Sequence, residues 1–533
     1  MSITITPKVA GTTLTLELVG KLSTIEAKEF DTRFQTMSEG MKEALLDFSA
    51  VDYISSAGLR SIFVAKKTML QQGGELKVLY PSPDVMEVFK ATRYDNIVTI
   101  VQKEEDNAQV FYPLRPVQRM MVDLHFQKAQ STMMNTGGLV RLDNSLDLEL
   151  LAEALNGLLG AYDIFRCRLV LHPETGELCQ RFDGEIGRVY VETMSDEAFE
   201  ARKQSVKQPY ELIDHPLYRA YIMKTSSANY IYVDFYHVIM DGTAIALLFW
   251  RELDKRYTHL ANKQEPKSLR QPSSYAEYIL EEARIPKEEL KAGQDYWRNL
   301  LAQFDETKHL PPPDIKGEPD TMEHEIEVPF SGMEKSFFKG KDYNENTFFM
   351  GAAMLALAKS TGRNEAMLAW VHNGRFTPSE RRLMGLMLDQ FPARWDFSED
   401  CSAHDFLCRL EAKTQEDMKL RKSLDVFYEE GSADGIAGFI LQKGSMGRRG
   451  TMKFCGTEAV IEEMPANEIS AAENTVDIEM NSHDDGTYSL VLDYDNYRYT
   501  EGAMRKFAAI MEKMTIGLQN GNRMVSELLS EEI

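Results

Sequence analysis

IYVDFYHVIMDGTAIA, residues 231–246, is the stretch on which the reading of this chain turns. From Ile231 to Tyr236 the residues alternate. Ile231, Val233 and Phe235 point one way and Tyr232, Asp234 and Tyr236 the other, the two-residue period of a strand. His237 continues the apolar face, so its imidazole comes out at a strand end beside buried groups. Desolvation there lowers a histidine's pKa and keeps the neutral base available, which suits general-base work near neutral pH. Asp241 and Gly242 follow within a turn, and TAIALLFWREL then takes a helical period with Ile245, Leu248 and Phe249 on a common side. Taken alone, the stretch leaves a second reading open: Asp241 caps that helix, Gly242 permits a tight turn and His237 is a satisfied core residue.

The flanking segments shift the balance. PLRPVQRMM begins at Pro113, YDIFRCRL runs from Tyr162 to Leu169, and HPLYRA precedes the strand. Beyond it come SSYAEY (Ser273 to Tyr278), DYWRNLL (Asp295 to Leu301), VHNGR ending at Arg375, MGLMLDQFPAR (Met384 to Arg394) and SLDVFYE (Ser423 to Glu429). In order and spacing, from Pro113 to about Gly521, this block resembles the condensation domains of nonribosomal peptide synthetases and, more broadly, the chloramphenicol acetyltransferase-like acyltransferases. The motifs it resembles are P-L-S-x-A-Q-x-R, H-E-x-L-R-T-x-F, G-P-L-x-R-A, H-H-x-x-x-D-G, Y-x-D-Y, Y-W, G-R, G-F-F-V-N-T-L-P-L-R and H-Q-D-V-P-F-E.

The resemblance implies two acetyltransferase-like α/β subdomains forming a V: residues 112–285 with the HxxxDG motif, and 286–533 with the floor loop and latch region. His237 is expected in a tunnel between them. An acyl thioester on phosphopantetheine, from an acyl or peptidyl carrier protein or coenzyme A (CoA), would enter one mouth and an amine or alcohol acceptor the other. His237 would orient or deprotonate that acceptor. Asp241 would face away and pair with an arginine, Arg166, Arg375 and Arg394 standing open as candidates. The Gly242 region would bring a backbone N–H near the developing oxyanion. No permanently bound cofactor and no metal are expected.

Among the positions that depart from the motifs, Tyr236 replaces the first histidine, Asp389 the floor-loop asparagine and Ser423 the histidine of the last segment. The intact His237, Asp241 and Gly242 favour an acyltransferase, whereas the departures favour a non-catalytic scaffold, and the sequence leaves that contest open. No adenylation domain or carrier segment is recognised, so the donor is expected from elsewhere.

Ahead of this block the chain alternates strand and helix. TTLTLELVG (Thr12 to Gly20), IEAKEFDTRFQTM (Ile25 to Met37), ALLDF (Ala44 to Phe48) and LRSIFVAKKTMLQQ (Leu59 to Gln72) are followed by ELKVLY, PDVMEVFKATR and IVTIV. That pattern predicts one small α/β domain. Within it, LDFSAVDYISSAGLR brings serines to a helix entrance, where Ser55 or Ser56 could cap the helix or carry a phosphate against its free N–H groups. The run from Asp47 to Arg60 resembles the signature of STAS domains, the anti-sigma factor antagonists and their relatives, over residues 1–103. The resemblance implies a mixed sheet with helices, Ser56 as regulatory phosphosite, and a kinase or anti-sigma-like partner. Ser55 replaces the aspartate common just before that site. KEEDNAQ (Lys103 to Gln109) is charged and aperiodic, and the linker is placed at 104–111.

Composition bounds the partners. In 533 residues, 60 Lys plus Arg against 83 Asp plus Glu give a formal charge of -23, which repels nucleic acid and anionic membrane surfaces. The longest apolar run, FFMGAAMLALA (Phe348 to Ala358), is short of the roughly 20 residues of a membrane span. The N-terminus shows no secretory signal, and five cysteines without CxxC spacing fit reduced thiols. A cytoplasmic location is expected. HDFLC places His404 and Cys408 four apart on a helix, but zinc takes three or four protein ligands, so the pair is read as structural. GSMGRRG (Gly444 to Gly450) reads as a solvated basic loop, and the 28 methionines as mostly core filler.

Overall fold

The computed structural model describes residues 3–532 except 83–84, 87, 90–91, 93, 95–96, 102–109, 128–130, 265–271, 303–308, 318–323, 331–332, 430–434, 444–449, 465–475 and 484. Most of the expected linker, 104–109, and of the basic loop, 444–449, therefore lies outside the described residues. The chain forms two compact units, Met1–Val110 and Phe111–Ile533.

The first unit holds one five-stranded sheet in the order β1 (Thr4–Ala10), β2 (Thr13–Leu22), β3 (Glu43–Ile54), β4 (Glu75–Leu79), β5 (Thr99–Val101). β1 and β2 form an antiparallel hairpin, and the remaining neighbours are parallel. Parallel neighbours need crossover connections, and the helices Thr24–Met37 and Ser56–Gln71 supply two of them. The alternation read in β2 buries Leu14, Leu16, Leu18 and Leu22, which meet Phe30, Phe34, Phe48, Ile62 and Met69 in the core. The second helix enters close against β2: a Cβ at Gly58 would lie 2.6 Å from the Leu22 carbonyl oxygen.

The second unit contains two six-stranded sheets. The first has β10 (Val191–Thr193), β11 (Tyr218–Lys224), β12 (Asn229–Tyr236), β7 (Asn135–Leu142), β18 (Thr457–Glu462) and β17 (Gly450–Phe454) in that order. The second runs β13 (Glu325–Phe330), β20 (Tyr488–Tyr494), β19 (Val476–Ser482), β16 (Ala437–Lys443), β14 (Glu365–His372), β15 (Asp389–Asp396). A small third sheet joins β6 (Tyr112–Pro113), β9 (Leu178–Arg181) and β8 (Arg168–Leu171).

β12 is an inner strand, antiparallel to β11 on one side and to β7 on the other, with Phe235 opposite both Tyr218 and Thr136. The β17–β18 hairpin lies late in the chain yet pairs with β7, placing Val460 opposite Arg141 and so completing the sheet of the first half. The apolar run Phe348 to Ala358 is buried inside the helix Glu345–Thr361, the centre of the second half's core. Its all-round apolarity follows from burial on every side. Among the described residues no helix is long and apolar enough to cross a membrane.

Candidate active site

β12 ends where its flanking strands end. The Tyr236 N–H donates to the Leu217 carbonyl and the His237 N–H to the Met134 carbonyl, both over 2.8 Å. The chain then turns: the Ile239 N–H returns to the Tyr236 carbonyl and the Met240 N–H to that of His237. Gln118, on the helix Pro116–Gln127, is fully buried and its Nε2 donates to the Val238 carbonyl over 2.9 Å. A glutamine from the opening motif thus fixes the peptide next to the histidine, a role that sequence reading missed.

The His237 side chain is half-buried. Nδ1 is sealed without a hydrogen-bond partner in another residue. Nε2 is the ring nitrogen that is not sealed, and it has no hydrogen bond among the described residues. Burial pushes the imidazole pKa below its ordinary value, against a weaker opposing pull from its own backbone and Asp241. The ring is therefore neutral and proton-accepting at pH 7.

Asp241 does two structural jobs. Its Oδ1 accepts from the Ala244 N–H at 2.7 Å, capping the following helix. That helix opens as a π-helical turn, Ala244–Phe249, before becoming regular at Trp250–Ala261, the wider winding often found beside functional sites. The carboxylate also meets Arg375 Nη1 at 3.0 and 2.8 Å and accepts from the Met387 and Leu388 N–H groups at 2.7 and 3.3 Å. Arg375 continues to the Leu383 and Gly385 carbonyls. One buried ion pair thus pins the floor-loop segment to the turn after His237.

Gly374 makes this approach possible. Its φ of +66° suits glycine, and an added Cβ would lie 1.6 Å from the Met387 carbonyl oxygen. Of the three candidate arginines, Arg375 is the one that pairs with Asp241. Arg166 donates instead to the Gly184 carbonyl, and Arg394 pairs with Glu365. Gly242 lies exposed in the first helical turn after Asp241.

Tyr236 is buried with its hydroxyl sealed and unpartnered among the described residues, its ring 5.5 Å from that of His125 and 5.4 Å from that of Tyr210. Asp389 is a buried partner of Arg115, Nη2 to Oδ1 3.1 Å, and burial raises its pKa to about 6 despite that cation. Arg115 Nε also meets Glu282 at 2.8 Å, and Lys422 pairs with the same carboxylate. Burial pushes Glu282 up, but Arg115 and Lys422 together hold it at about 2. Ser423 donates to the Leu290 carbonyl and fills the space left by Gly293. Tyr236, Asp389 and Ser423 are therefore all buried side chains of the second unit.

In the first unit, considered on its own, Ser55 is the cap. Its Oγ accepts from the Gly58 N–H at 3.2 Å and donates to the Leu22 carbonyl. Ser56 is the first helical residue, exposed, with no hydrogen bond among the described residues.

Comparison with known proteins agrees with both units. The condensation domain family matches residues 108–425 and the STAS domain family residues 4–107. Bacitracin synthase 3 of Bacillus licheniformis is 23% identical over 345 residues, 62% of this chain but 5% of that protein, so the chain spans about a twentieth of its length. Among solved structures, a variant of the starter condensation domain of rhizomide synthetase RzmA in complex with C8-CoA superposes with a TM-score of 0.62 at 15% identity, covering 79% of this chain and 98% of that one. The X-domain from teicoplanin biosynthesis in complex with OxyB gives 0.64 at 15% identity, covering 79% and 97%. At these identities the superpositions establish the fold. The family match covers more than half of the 533 residues, and this protein belongs to the condensation-domain family, with a STAS domain ahead of its condensation fold.

Proposed function

We propose that the second unit is a condensation-type acyltransferase. It would move an acyl group from a phosphopantetheine thioester, carried by a carrier protein or CoA, to an amine or alcohol. The observation that carries this reading is the His237 ring, kept neutral by burial, with Nδ1 sealed and Nε2 not sealed. Nε2 accepts the proton of the acceptor N–H or O–H as that atom attacks the thioester carbonyl. The tetrahedral intermediate collapses, the C–S bond breaks, and the proton passes to the departing thiolate. Asp241 and Arg375 hold the turn that aims the ring. The helix entrance at Gly242 follows in the same turn and would offer a backbone N–H to the oxyanion. The RzmA neighbour in complex with C8-CoA makes an acyl-CoA the first donor to offer.

The direct experiment incubates the full chain with acyl-CoA and acyl-carrier thioesters and a panel of amines and alcohols, following thiol release and product mass. Acceptor-dependent release that disappears in His237→Ala supports the reading. Equal turnover in both proteins defeats it.

A second reading, a scaffold without turnover, draws on the sealed, unpartnered Tyr236 hydroxyl at the first-histidine position and on the X-domain neighbour seen with OxyB. Absence of release across the whole panel would favour it. For the first unit, the exposed, unbonded Ser56 supports a role as a phosphate-gated docking face for a kinase or anti-sigma-like partner, since a doubly charged group there would disrupt docking by repulsion and desolvation.

A further inference from the structure

In sequence, His404 and Cys408 offered only two ligating groups. The fold adds a third from 62 residues upstream: Asp342, in the turn before the helix Glu345–Thr361, reaches the same face of the helix Ala403–Lys419. One nitrogen, one sulfur and one oxygen donor lie within 4.8 Å of one another. Cys408 Sγ is 3.6 Å from His404 Nε2. Tetrahedral zinc, with Zn–S about 2.3 Å and Zn–N about 2.0–2.1 Å, requires a sulfur-to-nitrogen edge of about 3.6 Å. The sulfur also lies 3.9 Å from His404 Nδ1, beside the ring, so a shared ion needs a rotation of these side chains that brings Sγ into line with the Nε2 lone pair.

Asp342 is held in place by both following residues. Tyr343 is buried against Phe348, with its ring 6.2 Å from that of His404. Asn344 caps the helix Glu345–Thr361 through the Thr347 N–H, and its own N–H and Nδ2 donate to Glu411, on the helix that carries His404 and Cys408, at 3.2 and 3.0 Å. Among the described residues the Asp342 carboxylate has no hydrogen bond or ion pair, and the polar contacts of the His404 ring are to Cys408. Asp405 and Glu411 add negative charge around the thiol, a field that favours a divalent cation.

We propose that Asp342, His404 and Cys408 form a zinc site, with water as the fourth ligand. The mixed S, N, O donor set suits a borderline-soft ion, whereas calcium and magnesium take oxygen ligands. Bound zinc would tie the helix Ala403–Lys419 to the turn that starts the central helix Glu345–Thr361.

The test uses the full untagged chain, stripped of metal with a chelator and then titrated with zinc against a chromogenic competitor. The expected result is one tight equivalent per chain, weakened at least tenfold in each of Asp342→Asn, His404→Ala and Cys408→Ser. Substituting cobalt should give a thiolate-to-metal charge-transfer band that Cys408→Ser removes. His404 and Asp342 are exposed, so these variants should fold, which circular dichroism would verify. No tight equivalent in the wild type, equal binding in the Cys408→Ser variant, or a cobalt spectrum without the thiolate band would overturn the site.

Discussion

Arg115 Nη2 donates to Asp389 Oδ1 over 3.1 Å, joining residues 274 positions apart in the buried floor of the second unit. Each stands at a position where the resembled motifs carry an uncharged residue, serine in the opening segment and asparagine in the floor loop. The two charges suit each other: a buried aspartate needs a cation, and a buried arginine needs a carboxylate. Asp389 is thus a buried carboxyl paired with Arg115 and has a structural role of its own.

Restoring one partner alone should therefore cost more than restoring both. Arg115→Ser leaves Asp389 and Glu282 without their shared cation and should destabilise the second unit by about 3–5 kcal/mol. In the double variant with Asp389→Asn, part of that loss should return, a coupling of about 1–3 kcal/mol measurable by urea denaturation in a double-mutant cycle. Additive losses would mean that the pair is energetically independent.

The Asp389 pair also has a pH signature. Burial lifts its carboxyl pKa to about 6 in the folded protein, above the ordinary aspartate value of 3.8. Between about pH 4 and 6 the folded state thus binds more protons at this group than the unfolded state, and its contribution to stability falls as pH rises through that window. Asp389→Asn should remove this component, and stability measured against pH for both proteins would reveal it as a difference curve falling from pH 4 to 6.

If His237 is the base, activity should rise with pH along an acid limb whose midpoint lies below 6.5, because burial lowers its pKa. His237→Ala should lower kcat by about 10²–10⁴ with little change in KM for the donor. A pH–rate profile of kcat, followed by thiol release, checks both. An acid limb that persists unchanged in the residual activity of the variant would assign it to another group.

Arg375 and Arg394 separate a buried clamp from a partly exposed pair. Arg375→Ala strands the buried Asp241 carboxylate and should cost about 3–5 kcal/mol, whereas Arg394→Ala removes the partly exposed pair with Glu365 and should cost about 1 kcal/mol or less. Denaturation midpoints of the two variants should differ accordingly. Arg375→Ala should also lower kcat at temperatures where the protein is folded, since the clamp holds the turn after His237.

The neighbouring serines should behave oppositely. Ser55→Ala removes a helix cap and should cost the first unit about 1 kcal/mol. Ser56→Ala should leave its stability unchanged. Incubation with host extract and ATP, followed by mass mapping, should place any phosphate on Ser56, because Ser55 Oγ is occupied by two backbone partners. Phosphate found on Ser55 would reverse the assignment.

Much was legible along the chain. The two-residue period from Ile231 to Tyr236 became β12, the break at His237 became the strand end, and Asp241 became the cap, since period and capping depend on residues a few positions apart. The order of short segments was enough to identify the condensation family, as it survives even at 23% identity, and the single run from Asp47 to Arg60 was enough for the STAS domain.

Tertiary structure decided what distant partners decide. Asp241 chose Arg375, 134 positions away, over Arg166 and Arg394. Arg115 answered Asp389, the β17–β18 hairpin closed the first sheet from far downstream, and Asp342 joined His404 and Cys408. Local period carries no record of which buried charge will meet which. That is fixed only when packing removes water and each charge must find its partner inside the protein.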